Sequence, residues 1–511
     1  MSVNAPSALP VDLYRAEHVQ ALDRVAIERF GIPGIELMER AGRAAYRAMR
    51  ERWPGARRIG VFCGLGNNGG DGHVVARRAH EAGLKVQVWQ LGDPERITGA
   101  AAEAYQRLIA AGVRPVPFER KAVPATDVVV DALFGTGIAR DVGGAFAEAV
   151  DAINASGAGV LAIDIPSGLH ADTGCVLGVA VRADVTVSFI GLKQGMFTGE
   201  GRGCSGNVLF DGLRVPAETY AEVERDAQRL EYAQFQERFR PRPRAAHKGH
   251  FGHVLVVGGE LGFAGAARMA GEAAARTGAG LVSVATRPAH AAAIAMTRPE
   301  LMCRGVESAE DLAPLLERAT VVALGPGLGL SEWSQAMLEA ALGAERPLVV
   351  DADGLNLMAR MGSPPGRPAA GWVLTPHPGE AARLLGTRTS EVQADRFAAV
   401  RGLGERYDAV VVLKGAGTLV LESGQLPGVC DGGNPGMASG GMGDVLTGII
   451  AGLVAQGHAL ADAARAGTCL HARAADLAAA EDGERGMLAG DLLPHLRRLV
   501  NPRPQAPSRR T

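Results

Sequence analysis

The chain has 511 residues, more than one ordinary hydrophobic core accommodates, and it reads as two domains. Its 53 lysines and arginines nearly balance 55 acidic residues, and the net charge of −2 excludes an electrostatic case for nucleic acid or an anionic membrane surface. Glycine, at 69 residues, is abundant but gathers at the ends of apolar runs, which marks loops that approach a small-molecule ligand.

The six cysteines are scattered without C-x-x-C spacing, so neither a zinc site nor a disulfide framework is indicated. The N-terminus lacks a basic segment followed by an apolar one, and no apolar stretch is long enough to span a bilayer; a soluble, cytoplasmic protein is expected.

Residues 12 to 52 carry helical periodicity, with Asp12 as a candidate N-cap. Val19, Leu22 and Val25 form a first stripe and Leu37, Ala41, Ala45 and Ala48 a second, separated by GIPG at 31 to 34. Packing is the expected role, and these apolar helices are also where a homo-oligomer interface is expected. A βαβ unit follows: strand Ile59 to Phe62, glycine loop, helix Gly72 to Glu81, strand Lys85 to Trp89. Gly64, Gly66 and Gly69 satisfy G-x-G-x-x-G, with Asp93 as a ribose-binding acid, so a dinucleotide-binding Rossmann site arises as a reading. Asp71 argues against it, because its charge would face a pyrophosphate resting on the helix start. Asn67, Asn68 and Asp71 suit a hydroxyl-rich ligand or a hard cation.

Two further strand ends deliver Asp131 with the loop Gly135 to Asp141, and Asp164 with Ser167. Loops of a parallel sheet converge at its carboxyl edge. Asn68, Asp131 and Ser167 then offer three hard oxygen donors, a set suited to potassium, although each is also a plausible cap or turn residue. GNNGGDG (66 to 72), DALFGTG (131 to 137) and DIPSGL (164 to 169) together resemble the NAD(P)H-hydrate epimerase domain over roughly residues 10 to 220. The resemblance implies ligand contacts at Asn67, Asn68, Gly69, Gly70 and Asp71, at Gly135, Thr136, Gly137, Ile138, Ala139, Arg140 and Asp141, and at Asp164. It places potassium on Asn68, Asp131 and Ser167 and makes Asp164 the acid/base residue.

Residues 218 to 236 read as polar and helical, and RFRPRPRAAHKG (238 to 249) as a basic, proline-interrupted linker, so the domain boundary is placed near 235. Six short β-rich runs then alternate with alanine-rich helical ones: HVLVVGG, GLVSVAT, TVVALGPGLG, PLVVDADGLN, WVLTPHPGE and AVVVLKGAGTLV. An open, mainly parallel αβα sheet is expected. No P-loop motif occurs.

Phosphate chemistry is assigned instead to NPGMASGGMGDVLTG (434 to 448), a glycine-rich loop running into an apolar helix whose start favours an anion. Asp444 at its mouth reads as a catalytic base, with helix capping as the alternative. KGAGT (414 to 418) reads either as the seat of a nucleotide or as a turn, and Pro376 and Pro378 frame His377. GPGLG, DADGLN, TPHPGE, KGAGT and NPGMASGGMGD in this order resemble the ribokinase-like NAD(P)H-hydrate dehydratase domain over about 240 to 500. The hydrate would touch Ala264, Gly327, His377 and Asp444, and ADP, with magnesium, would touch Lys414, Gly415, Ala416, Gly417, Thr418 and Gly443.

The pair of domains in this order resembles the bifunctional NAD(P)H-hydrate repair enzymes. That resemblance implies an α/β protein of two three-layer αβα domains, Rossmann-like at residues 1–235 and ribokinase-like at 236–511. The implied reactions are interconversion of the R and S forms of hydrated NADH or NADPH and dehydration of the S form at the expense of ADP. A ribokinase-like kinase fused to a ligand-binding domain, and a dinucleotide-sensing module without turnover, are the rival readings.

Overall fold

Buried strands of a parallel sheet need apolar residues on both faces, and the runs VFC, VVVDA and VLAI supply them. The computed structural model describes residues 9–119, 125–361 and 365–501. It comprises two compact units, Met1–Arg229 and Leu230–Thr511.

In the first unit seven strands form one sheet, in the order Val116–Pro117, Lys85–Gln90, Arg58–Cys63, Val128–Ala132, Gly159–Ile163, Val185–Phe189, Asn207–Asp211. Every pairing in it is parallel. The strand order reverses between Arg58–Cys63 and Val128–Ala132, so the loops leaving these strands diverge and open a crevice at their carboxyl ends. Helices Ala16–Glu28 and Gly34–Arg52 bury Val19, Leu22, Leu37, Ala41, Ala45 and Ala48 within this unit, so those stripes are used for its own core.

Asp12 is not an N-cap. Asp12–Tyr14 is a short strand, paired with Leu192–Lys193 and Ala227–Arg229, and Arg15 precedes the first helix. The glycine loop after Cys63 is also shorter than expected, because the next helix spans Asn67–Glu81 and starts well before Gly72. Gly69 explains this: a Cβ there would lie 2.1 Å from the Gly64 carbonyl oxygen, so the glycines let the first helical turn sit directly against the strand end.

The second unit holds parallel strands in the order Met302–Gly305, Leu281–Thr286, His253–Val257, Val321–Leu324, Leu348–Val350, Trp372–Leu374, Val410–Leu413, continued by the antiparallel Thr418–Glu422 and Gly428–Cys430. All six expected runs are strands of this sheet. The reversal falls between His253–Val257 and Val321–Leu324. Helix Met442–Ala455 is buried almost all round and lies against Ala264–Thr277 so closely that a Cβ on Gly448 would stand 2.1 Å from the Ala270 carbonyl oxygen.

Residues 218 to 236 are not one helix. Only Glu218–Ala221 is α-helical, followed by the strand Ala227–Arg229 and the 3-10 segment Tyr232–Arg238. Leu230 and Phe235 are buried in the second core, and the second compact unit begins at Leu230. The basic run beyond is held rather than free: Arg238 pairs with Asp462 at 2.5 Å, and the Arg242 guanidinium lies 3.6 Å from the centre of the Phe251 ring. The flat guanidinium stacks on an aromatic face as readily as it contacts solvent. Among the described residues no helix is long and apolar enough to cross a membrane.

Candidate active sites

In the first unit the loops after Cys63, Ala132 and Ile163 wall a cleft of about 1380 Å³. Asn67, Asn68, Asp71, the whole run Gly135 to Asp141, and Asp164 line it together. Gly69 and Gly70 do not; Gly69 packs on Gly64, and a Cβ on Gly70 would meet the Met38 sulfur at 2.6 Å.

The expected potassium donors converge. Asp131 has no exposed surface and accepts from the Ser167 Oγ at 2.6 Å, the Ser167 N–H at 2.8 Å and the Leu133 N–H at 3.2 Å. Asn68 donates its Nδ2 to the Phe134 carbonyl at 2.7 Å, and the Phe134 N–H donates to Ser167 Oγ at 2.9 Å. Asn68 Oδ1 remains buried with no partner. Burial pushes the Asp131 carboxyl up to about 6, against the hydrogen bonds from Ser167 and Leu133. An orphaned amide oxygen beside a carboxylate and a hydroxyl fits a weakly hydrated cation.

Asp164 holds a left-handed backbone with φ of 68°, a conformation costly for a non-glycine residue, and its carboxylate accepts from the Phe189 N–H at 3.2 Å. It also pairs with Lys193, whose ammonium has no exposed surface and donates to Ser188 Oγ at 3.0 Å and the Phe189 carbonyl at 3.2 Å. Asp71 and Asp23 complete the cluster. Burial, then the charges of Asp164 and Asp23, raise the Asp71 carboxyl well above its ordinary range, and burial followed by Asp164 lifts Asp23 to about 6. Sequence reasoning missed Lys193 and Asp23. The available signals were a lone lysine between apolar runs at 185 to 197 and an acid one turn after Val19 on an otherwise apolar stripe.

In the second unit Asp444 lies in the first turn of Met442–Ala455, whose N-cap is Gly441 at φ of 90°. Gly441 holds the N-cap position and Asp444 stands inside the first turn, where burial and neighbouring charges act on its carboxyl. Burial, and next the Asp351 charge, push the carboxyl up to about 7 against the pull of Lys414. Beneath it Lys414 Nζ lies 2.5 Å from Asp351 Oδ1 and 3.8 Å from Glu380 Oε2, and Thr447 Oγ1 donates to Asp351 Oδ2 at 2.9 Å. A Cβ on Gly443 would sit 3.2 Å from Lys414 Nζ and 3.3 Å from Asp351 Oδ2, so the helix start rests on this pair. Burial alone would raise Asp351, yet the Lys414 charge holds it below its ordinary range.

KGAGT is a turn in form. Thr418 Oγ1 donates to the Gly415 carbonyl at 3.0 Å, and the buried Arg396 donates to the carbonyls of Leu413 and Lys414, each at 3.1 Å. The charge of Lys414, expected to face a nucleotide, is matched internally by Asp351 and Glu380. His377 is fixed less by its prolines than by capping: its Nδ1 accepts from the Gly379 N–H at 3.0 Å, while Nε2 lies 3.3 Å from Glu380 Oε1. Burial and then Lys414 lower its pKa. Gly327, at φ of 57°, backs onto the Phe263 carbonyl, where a Cβ would be 2.7 Å away, and so adjoins Ala264 at the start of its helix. Roles for Asp351, Glu380 and Thr447 were not read from the sequence, although the first two stand inside DADGLN and TPHPGE.

Comparison with known proteins gives both halves counterparts. A family profile described as NAD(P)H-hydrate dehydratase matches residues 254–498, and one described as YjeF-related protein N-terminus matches residues 34–195. The bifunctional NAD(P)H-hydrate repair enzyme Nnr of Coxiella burnetii is 50% identical over 490 residues, 96% of this chain and 99% of its own. The Escherichia coli protein of the same name is 42% identical over 497 residues, 97% of this chain and 95% of its own. A solved structure of a hypothetical protein from Streptococcus mutans covers 53% of this chain and 98% of its own length, with 30% identity and a TM-score of 0.50.

Proposed function

The chain belongs to the bifunctional NAD(P)H-hydrate repair enzymes, and from that membership we propose how its two sites divide the reaction. It is an isomerase and a lyase: the first unit epimerises hydrated NADH or NADPH, and the second dehydrates it.

In the first unit the ring hydroxyl departs with a proton as water, pushed by the electron pair of the ring nitrogen. Water then adds to the opposite face and gives up a proton. Asp71, raised by burial, is suited to supply the first proton, and Asp164, ion-paired to Lys193, to take the second. Potassium held by Asn68, Asp131 and Ser167 would supply positive charge beneath the ligand loops, and the orphaned Asn68 Oδ1 supports it.

In the second unit Asp444 takes the proton of the S-hydrate hydroxyl as its oxygen attacks the terminal phosphorus of ADP, and the bond from that phosphorus to AMP breaks. Phosphate then leaves the ring as the C–O bond breaks and a ring proton is lost, which restores NAD(P)H. Water is a poor leaving group and phosphate a good one. The supporting observation is a half-buried carboxyl, raised to about 7, in the first turn of a helix behind a glycine loop. Magnesium would come with the nucleotide, since it is usually held by substrate phosphates with one or two carboxylates and its own waters. Among the described residues none of the six cysteines is in a disulfide, which suits the reducing cytoplasm.

The test is incubation of the full chain with both epimers of hydrated NADH and ADP or ATP, following the return of reduced-nicotinamide absorbance. Accumulation of a stable phosphorylated product, with no absorbance gain, would make the second unit a kinase.

A further inference from the structure

We propose that the second unit carries an anion site remote from Asp444, at the amino-terminal edge of its sheet, which takes a small phosphomonoester with an apolar body. A cavity of about 660 Å³ opens there. Its wall includes His253, Leu281 and Met302, the first residues of three adjacent parallel strands, whereas the dehydratase loops leave the opposite ends of those strands.

Three cations from separate segments border the cavity: Lys248 ahead of the first strand, Arg304 on the edge strand and Arg318 at the end of helix Ala309–Arg318. The two arginines have ordinary explanations alone. Arg318 complements a helix C-terminus, and Arg304 protects a sheet edge from pairing with another chain. Those explanations do not require the three to share a cavity whose wall contains no carboxylate. Among the described residues none of the three side chains is in an ion pair. By contrast, Arg268, Arg276 and Arg298 on the same unit all pair with Glu272.

The rest of the wall defines the remainder of the ligand. His253 Nε2 and the buried Ser283 Oγ lie 2.8 Å apart and satisfy each other, so they leave a polar but uncharged floor. Leu281, Met302 and Leu315 supply apolar surface beside it. Unpaired arginines favour the forked geometry of a phosphate, and the volume holds one small ring in addition.

Equilibrium dialysis of the full chain with phenyl phosphate tests the proposal. Saturable binding is expected, weakened at least tenfold by Arg304→Ala combined with Arg318→Ala and less by Lys248→Ala, and weakened by added salt. Excess ADP should not displace the probe, and dehydratase kcat/KM should be unchanged in these surface variants. Equal binding by the double variant overturns the site, as does displacement by ADP, which would place the probe near Asp444. Absence of binding at millimolar probe overturns it as well.

Discussion

Replacing Asp351 by asparagine should move the acid limb of the dehydratase pH profile to lower pH. The Asp444 carboxyl is raised to about 7 by burial first and Asp351 second. A base with that pKa loses activity about tenfold for each pH unit below it when kcat/KM is measured, because that ratio reports the free enzyme. Asparagine keeps an oxygen for Lys414 and an amide that can donate to Thr447, but it removes the negative charge and leaves Lys414 Nζ, 2.5 Å away, without its nearest counter-ion. Both changes favour the Asp444 carboxylate. Removing one charged neighbour moves a buried carboxyl's pKa by roughly one unit or more, about 1.4 kcal/mol. The limb should therefore fall from about 7 towards roughly 6, and relative activity at pH ~6 should rise about fivefold against each protein's own plateau. The plateau itself should drop, since Lys414 and the helix start lose their common anchor. The terminal phosphate of the nucleotide titrates at about 6, but it is common to both proteins and cancels in the comparison. The assay is return of reduced-nicotinamide absorbance between pH ~5 and ~9. An acid limb at the same pH in both proteins would refute Asp444 as the titrating base.

Asp444→Asn should retain nucleotide affinity by calorimetry while turnover falls about 100-fold or more; unchanged turnover would leave Asp444 a packing residue. Asp164→Ala should consume one epimer quickly and the other only at its unaided rate of interconversion, and equal consumption of both would reduce the first unit to a binding module. Asp131→Ala should weaken ligand binding and its potassium dependence more than Ser167→Ala, because only the first removes formal charge; equal effects would count against a cation there. A second unit cut before Leu230 should be more stable to urea than one cut at Arg240, since burying Leu230 and Phe235 contributes about 1.5–3 kcal/mol each. Equal midpoints would show that these side chains do not support that core.

Residues delivered by the end of a strand were legible, because an apolar run followed by glycine and a polar residue identifies both the strand and its loop. Asp131, Asp164 and the loop Gly135 to Asp141 are found this way; Asp164 and the loop line one cleft, and Asp131 is buried against Ser167. Charges that act on them from elsewhere were not legible. Lys193 reaches Asp164 across 29 positions and Lys414 reaches Asp351 across 63, and no local pattern records such pairings. The tail of the first unit was misread for a related reason. Polar spacing at 218 to 236 resembles a solvated helix, yet Leu230 and Phe235 are claimed by a neighbouring core, and tertiary burial overrides local propensity.

The contact of Gly448 with the Ala270 carbonyl bears on how variants of this enzyme will be scored. Gly448 lies one turn beyond Asp444 and touches no reacting atom, but a single methyl there would stand 2.1 Å from that oxygen, and the helix would have to move as a rod. The displaced end is the one that carries Asp444. An activity screen would therefore rank Gly448→Ala beside a loss of the base itself, while its melting behaviour would identify a displaced scaffold with intact chemistry.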